Sequence, residues 1–180
     1  SHLGDVEDII SRLLNMDTAG LLGFTHMTGE ATKAVLRLKK PVVAGINGVA
    51  AGAGAVLAIA CDVRVAAESA RFAFLFTKVG LAGADMGAAY LLPRLVGMGR
   101  AIELLHTGDL IGARDAERIG LVNRTVPATE LRSVVLEFAN RLAAGPTKAI
   151  GITKAHIYGQ LGMTMEQAWA HAALTLEPVE

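Results

Sequence analysis

Apolar positions along this chain alternate between helical spacing and short strand-like runs. In the stretch 20–38 the apolar residues follow the helical repeat: Leu21, Phe24, Met27, Ala31, Val35 and Leu38. This spacing predicts a helix that Asp17 or Thr18 could cap. The next run, 41–46, is short, apolar and rich in β-branched residues, so it predicts a strand buried on both faces.

Further strand and helix signals fill the rest of the chain. Strands are predicted at 62–67 and 70–76, and a glycine-rich irregular segment follows at 80–87. The second strand carries phenylalanines at a period of two, which should share one face: Phe72, Phe74 and Phe76. The other predicted elements are helices at 88–96, 100–106, 114–119 and 129–144, a strand at 121–126, and helices from about residues 147 and 163. This alternation predicts an α/β domain.

The most distinctive segment is the corner that follows the first strand. Asn47 and Gly48 indicate a turn, and Gly52, Ala53 and Gly54 then open a helical segment of small side chains. A ligand can approach such a backbone closely, and the free N–H groups of a helix start favour an oxyanion. The alternative is that small residues merely let the helix pack closely on the sheet. A membrane span is disfavoured, because a turn and many Ala and Gly residues interrupt the uncharged stretch 41–61.

Composition narrows the functional class. The chain has 180 residues, is 52% hydrophobic and carries 17 basic and 17 acidic residues, which suits one well-buried domain. No basic cluster exceeds Lys39-Lys40, so nucleic acid is not expected as a main partner. Cys61 is the only cysteine, which excludes an intrachain disulfide and predicts a reducing compartment, the cytoplasm. No metal site and no membrane association are predicted.

Several motifs then follow one another in order: Lys40-Pro41-Val42-Val43-Ala44, Asn47-Gly48, Ala50-Ala51-Gly52-Ala53-Gly54, Cys61-Asp62, Leu92-Pro93-Arg94 and Thr107-Gly108-Asp109. Over roughly residues 4–150 this series resembles the crotonase superfamily, the enoyl-CoA hydratase/isomerase family. The resemblance implies a spiral of ββα units with C-terminal helices, without the N-terminal strands usual in the family. It divides the chain into a core at 1–145 and a helical segment at 146–180. It also implies a homotrimer or hexamer that acts on acyl-CoA thioesters and needs no cofactor beyond the coenzyme A of its substrate.

The resemblance also implies a site. Two backbone N–H groups polarise the thioester carbonyl in this family, and the matching positions here are Gly4 and Ala53, with Gly52 beside the pocket. Hydratases of the family place two glutamates where this chain has Val56 and Phe76. Neither side chain can accept a proton, so the usual pair for activating water is absent and both residues are expected to line a drier substrate pocket.

Asp85 is the remaining acidic candidate. It lies in the loop where isomerase-type members place a catalytic aspartate, although the match needs one extra residue. The hypothesis is that Asp85 removes and returns a carbon-bound proton, which favours double-bond isomerisation. Alternatively, Asp85 positions water for hydration, or caps the helix that starts near Met86. A further alternative is a non-catalytic subunit that binds acyl-CoA. Glu103 is expected to form a structural ion pair with Arg100 or Arg94.

Overall fold

A computed structural model describes residues 11–13, 15–82 and 85–175 of the chain. Its described strands are β1 (Val43–Ile46), β2 (Val49–Ala51), β3 (Val63–Ala67), β4 (Arg71–Ala73), β5 (Ile111–Gly112) and β6 (Arg124–Val126). Its described helices are α1 (Thr18–Arg37), α2 (Ala53–Ala60), α3 (Ala88–Val96), α4 (Met98–Thr107), α5 (Ala113–Arg118), α6 (Leu131–Ala143), α7 (Thr147–Gly159) and α8 (Met165–Thr175). Two short 3-10 helices, Leu75–Val79 and Asp85–Gly87, precede α3.

Successive strands enter two different sheets. One sheet has the order β1-β3-β6 and is parallel throughout. The other has the order β2-β4-β5, in which β2 and β4 are parallel and β5 is antiparallel to β4. The chain therefore runs β1, β2, α2 and then β3, β4, α3, with one strand in each sheet on every turn. This arrangement confirms the predicted α/β fold of ββα units.

Local sequence explains the two helices that later border the site. Helix α1 begins after Asp17, whose side chain accepts a hydrogen bond from the Gly20 N–H at 2.8 Å, as predicted for a cap. Helix α2 has no capping side chain and follows Gly52 directly. Because most of its residues are small and apolar, α2 lies inside the main core. The buried phenylalanines Phe72 and Phe74 belong to the same core.

Two strand predictions need correction. The predicted strand 70–76 ends at Ala73, and Phe76 lies in the 3-10 helix Leu75–Val79. The phenylalanine spacing gave a wrong prediction because a helical turn can also bury the side chain of Phe76, which is 7% exposed. The strand at 41–46 is also not buried on both faces. In the described sheet β1 is an edge strand that pairs with β3 alone, and Gly45 is exposed.

None of the described helices combines the length and the apolar character needed to cross a membrane.

Candidate functional site

The candidate site begins at the corner between β2 and α2. The Gly52 N–H donates to the Ala73 carbonyl of β4 at 2.9 Å, and the Gly52 carbonyl accepts from the Val56 N–H at 3.1 Å. These two bonds fix the corner to the sheet on one side and to the helix on the other. The Ala53 N–H comes next in the chain, and a helix start leaves it without an intrahelical acceptor. The corner therefore presents an N–H group that a ligand oxygen could bind.

Gly52 adopts a conformation that a side chain would oppose. Its φ of 52° and ψ of −121° lie in a region that is essentially confined to glycine. An added Cβ would meet no atom within 4 Å, so the constraint comes from the backbone rather than from crowding. This backbone orients the peptide that carries the Ala53 N–H. The requirement for glycine here thus concerns the direction of that N–H group.

The second predicted N–H donor, Gly4, lies outside the described residues. Val56 and Phe76, at the positions of the family's glutamates, are both buried in the main core, with 0% and 7% exposure. No proton acceptor therefore occupies either position, and both side chains belong to the apolar core.

Asp85 begins the short 3-10 helix Asp85–Gly87. Its Oδ1 accepts a hydrogen bond from the Met86 N–H at 2.8 Å. Met86 is buried and has a φ of 54°, a left-handed conformation that is uncommon for a residue other than glycine. Such strain is found more often at functional sites than elsewhere. This bond to the adjacent N–H is not a helix cap, because α3 begins after Gly87 and has no side-chain cap, so the capping alternative is wrong for α3. The bond occupies Oδ1 only.

Asp85 also borders an apolar pocket of about 250 Å³. The other described residues that line it come from α1, from the segment before Asp85 and from near residue 13: Leu13, Leu21, Phe24, Thr25, Leu81 and Ala82. Asp85 is the one ionisable group among these described lining residues. The structure thus places a carboxylate at an otherwise largely apolar cavity.

The helical turn at Asp85–Gly87 packs against both α1 and α2. It therefore links the pocket wall on α1 to the helix that carries Ala53. Ala53 itself is not among the described residues that line the pocket, so the structure places the two candidate groups on adjoining elements rather than in one cavity.

A second cavity, of about 270 Å³, lies between α4 and α5. Its charged side chains form exposed ion pairs, such as Arg100 with Glu103 at 2.7 Å and Arg118 with Asp115 at 2.9 Å. The first pair confirms the structural prediction for Glu103. The Lys78 ammonium hydrogen-bonds Asp109 and holds the pKa of that carboxyl below its usual range. Because these charges neutralise one another at the surface, we place the candidate site at Asp85 instead.

Among the described residues no cluster of three or more His, Cys, Asp or Glu side chains could hold a metal ion.

Sequence reasoning missed a buried ionic cluster near the C-terminal ends of α1 and α2. The Lys154 ammonium lies 2.8 Å from Asp62 Oδ2, and the Tyr158 hydroxyl donates to Asp62 Oδ1 at 3.0 Å. Burial, and then the charge of Asp62, raise the pKa of Tyr158 to about 12. In the sequence Asp62 stands out only as part of the Cys61-Asp62 motif, and no local pattern connects it to a lysine 92 residues away.

The two-sheet spiral and its glycine corner define an α/β protein of the crotonase type. A family model for enoyl-CoA hydratase/isomerase matches residues 13–177. The chain therefore belongs to the enoyl-CoA hydratase/isomerase family.

Individual relatives support the same family assignment. The probable enoyl-CoA hydratase EchA12 of Mycobacterium tuberculosis is 40% identical over 136 residues, which are 76% of this chain and 48% of that protein. The crystal structure of a "putative enoyl-CoA hydratase" from Streptomyces coelicolor A3(2) matches with a TM-score of 0.91 and 51% identity, covering 95% of this chain and 62% of that one. A monofunctional enoyl CoA isomerase from M. smegmatis matches with a TM-score of 0.69 and 40% identity, covering 77% and 65%. The chain spans about half the length of the curated relatives it matches.

Proposed function

We propose that this chain forms part of an enzyme that isomerises the double bond of an enoyl-CoA thioester. The observation that carries this proposal is the distribution of acids. The two positions where family hydratases hold glutamates are Val56 and Phe76, both buried and apolar, whereas Asp85 lines a largely apolar pocket. Similarity to an enoyl CoA isomerase also supports isomerisation as the reaction.

In the proposed reaction Asp85 acts on carbon-bound protons. Its carboxylate takes a proton from C2 of a 3-enoyl thioester, and the electron pair of that C–H bond moves into the carbonyl to form a dienolate. The Ala53 N–H, with Gly4 as its proposed partner, donates hydrogen bonds to the enolate oxygen. The protonated Asp85 then returns its proton to C4, which leaves the double bond between C2 and C3. No water is consumed, and no cofactor takes part beyond the coenzyme A of the substrate.

The remaining parts of this proposal concern the assembly. The enzyme acts on acyl-CoA thioesters in the cytoplasm as a homotrimer or hexamer. Family membership supports the acyl-CoA substrate.

Hydration is the second candidate, and the names of the relatives from M. tuberculosis and S. coelicolor favour it. In that reaction Asp85 would position a water molecule and the product would be a 3-hydroxyacyl-CoA. A non-catalytic acyl-CoA-binding subunit is the third, and the lack of acids at positions 56 and 76 favours it.

One experiment separates these functions. The protein is incubated with a 3-enoyl-CoA in deuterated water, and the acyl carbons are followed by NMR. We expect deuterium at C2 or C4 and migration of the double bond without a new hydroxyl group. Asp85→Asn should slow this exchange about 10²-fold or more, whereas the exposed control Asp109→Asn should not change it. Hydration adds water across a C2=C3 bond, so it is tested by a parallel incubation with a 2-enoyl-CoA. Formation of a 3-hydroxyacyl product from that substrate would indicate hydration, and binding of both substrates without exchange or product would indicate a binding subunit.

A further inference from the structure

The buried cluster around Lys154 joins three separate parts of the chain. Asp62 Oδ2 accepts from the Lys154 ammonium at 2.8 Å and from the Val42 N–H at 2.6 Å. Asp62 Oδ1 accepts from the Tyr158 hydroxyl at 3.0 Å. Lys154 also donates to the carbonyls of Val35 and Lys40, both at 3.2 Å. All three N–H donors of the ammonium therefore have acceptors within the protein.

These contacts lie at the ends of two helices. The Val35 carbonyl belongs to the last turn of α1, where a cation offsets the negative end of the helix. Asp62 follows the last residue of α2 by two positions. Lys154 therefore ties the C-terminal end of α1 to the C-terminal end of α2.

Docking of α7 alone does not explain a buried lysine. Lys154 is 5% exposed and is the only residue of α7 that is buried, whereas the apolar Ile157 of the same helix is 58% exposed. An apolar side chain could dock the helix without the desolvation cost of a charge. What a lysine adds is three donors at one point, here directed at α1, at the loop before β1 and at Asp62.

The other ends of the same two helices border the candidate site. Leu21 and Phe24, near the start of α1, line the pocket beside Asp85, and Ala53 begins α2. The separation along α1 from Phe24 to Val35 is about 16 Å, at about 1.5 Å per residue. A tilt of about 4° at the Lys154 end would therefore move the pocket wall by roughly 1 Å. Displacements of that size are enough to reduce catalysis strongly.

We propose that Lys154 and Asp62 are positioning residues, which set the placement of α1 relative to α2 and thereby the spacing between the pocket wall and the Ala53 N–H. This inference rests on the proposed function. It assigns a role in the reaction to two residues that touch neither substrate nor the reacting atoms.

Steady-state kinetics of the isomerisation give the first test, well below the melting temperature. Lys154→Met should lower kcat at least about 10-fold with less than about a threefold change in KM. Lys154→Arg, which keeps the charge, should recover part of the loss. The exposed lysine of the same helix supplies the control, Lys148→Met, which should behave as the unmodified protein does.

A double variant separates positioning from simple stabilisation. Lys154→Met leaves Asp62 buried without its cation, and adding Asp62→Asn removes that uncompensated charge. We expect the double variant to regain melting temperature while kcat stays low. If kcat returns together with stability, the cluster only stabilises the fold and the proposal is wrong.

Hydrogen exchange provides a readout that does not depend on activity. In Lys154→Met, or in the double variant if the single one does not fold, amides of 18–37 and 53–60 should exchange faster than in the Lys148→Met control, while those of 98–107 should not. If exchange changes in this way but the unmodified protein does not isomerise the substrate, only the proposed isomerisation is contradicted. Unchanged exchange in 18–37 and 53–60 would overturn the positioning role whatever the activity.

Discussion

Replacing Gly52 by alanine tests the central feature of the candidate site. At φ 52° and ψ −121° an alanine is strained, although its Cβ would meet no atom within 4 Å. A strained backbone conformation of this kind costs about 1–3 kcal/mol. For a chain of this length each kcal/mol corresponds to roughly 2–4 °C in melting temperature, so Gly52→Ala should melt about 2–12 °C lower.

The matched control is Gly54→Ala, two residues further along the chain and inside α2. An added Cβ there also meets no atom within 4 Å, and the residue has ordinary helical geometry. Alanine favours a helix over glycine by about 0.5–1 kcal/mol, so this variant should be as stable as the unmodified protein or more so. Urea unfolding measures both variants against the same reference.

Activity should separate the same pair. Alanine at position 52 can relieve its strain only by rotating the peptide that carries the Ala53 N–H, which misdirects the proposed donor to the enolate oxygen. Loss of one such donor typically reduces kcat by about 10²–10³-fold. The reasoning would be refuted if Gly52→Ala matched Gly54→Ala in both unfolding free energy and turnover.

The remaining predictions concern two groups away from the corner. The pKa of Tyr158 is raised from 10 to about 12 in the folded state, so the folded protein holds the phenol proton more tightly than the unfolded chain does. The stability that this difference contributes is fully present below pH 10 and is lost as the pH rises from 10 to 12. Between pH 10 and 12 the unfolding free energy of Tyr158→Phe should therefore fall less than that of the unmodified protein, by about 1 kcal/mol after allowance for solvent screening. Urea unfolding at several pH values measures this, and an equal fall in the two proteins would contradict the prediction. Glu103→Gln should change the unfolding free energy by no more than about 0.5 kcal/mol and leave turnover unchanged, because both side chains of the Glu103–Arg100 ion pair are more than half exposed. A large loss of turnover would instead indicate that Glu103 takes part in the reaction.

Elements with a strong local signal could be predicted from the sequence. Helix α1 was expected at 20–38 and lies at Thr18–Arg37, because its apolar repeat and the Asp17 cap are both local properties. The glycine corner and the following helix were found for the same reason, since Gly52 is required by the conformation of its own backbone. The absence of acids at positions 56 and 76 could likewise be inferred before the fold was known.

Elements that depend on distant partners could not be predicted from the sequence. Strands β2 and β5 have three and two residues, and they are strands only because β4 lies between them. The chain leaves its strand after Ala73 despite the regular phenylalanine spacing, because burial of Phe76 can be satisfied by a helical turn packed in the core.

The same division applies to the site. The sequence by itself determined the corner and Asp85 as candidates, because glycine geometry and carboxylate chemistry belong to single residues. Only the tertiary structure decided that Asp85 faces an apolar pocket on α1 and that Lys154 joins Asp62 from 92 residues away. Such contacts depend on how the helices pack around the two sheets, and packing brings together residues that no spacing along the chain connects.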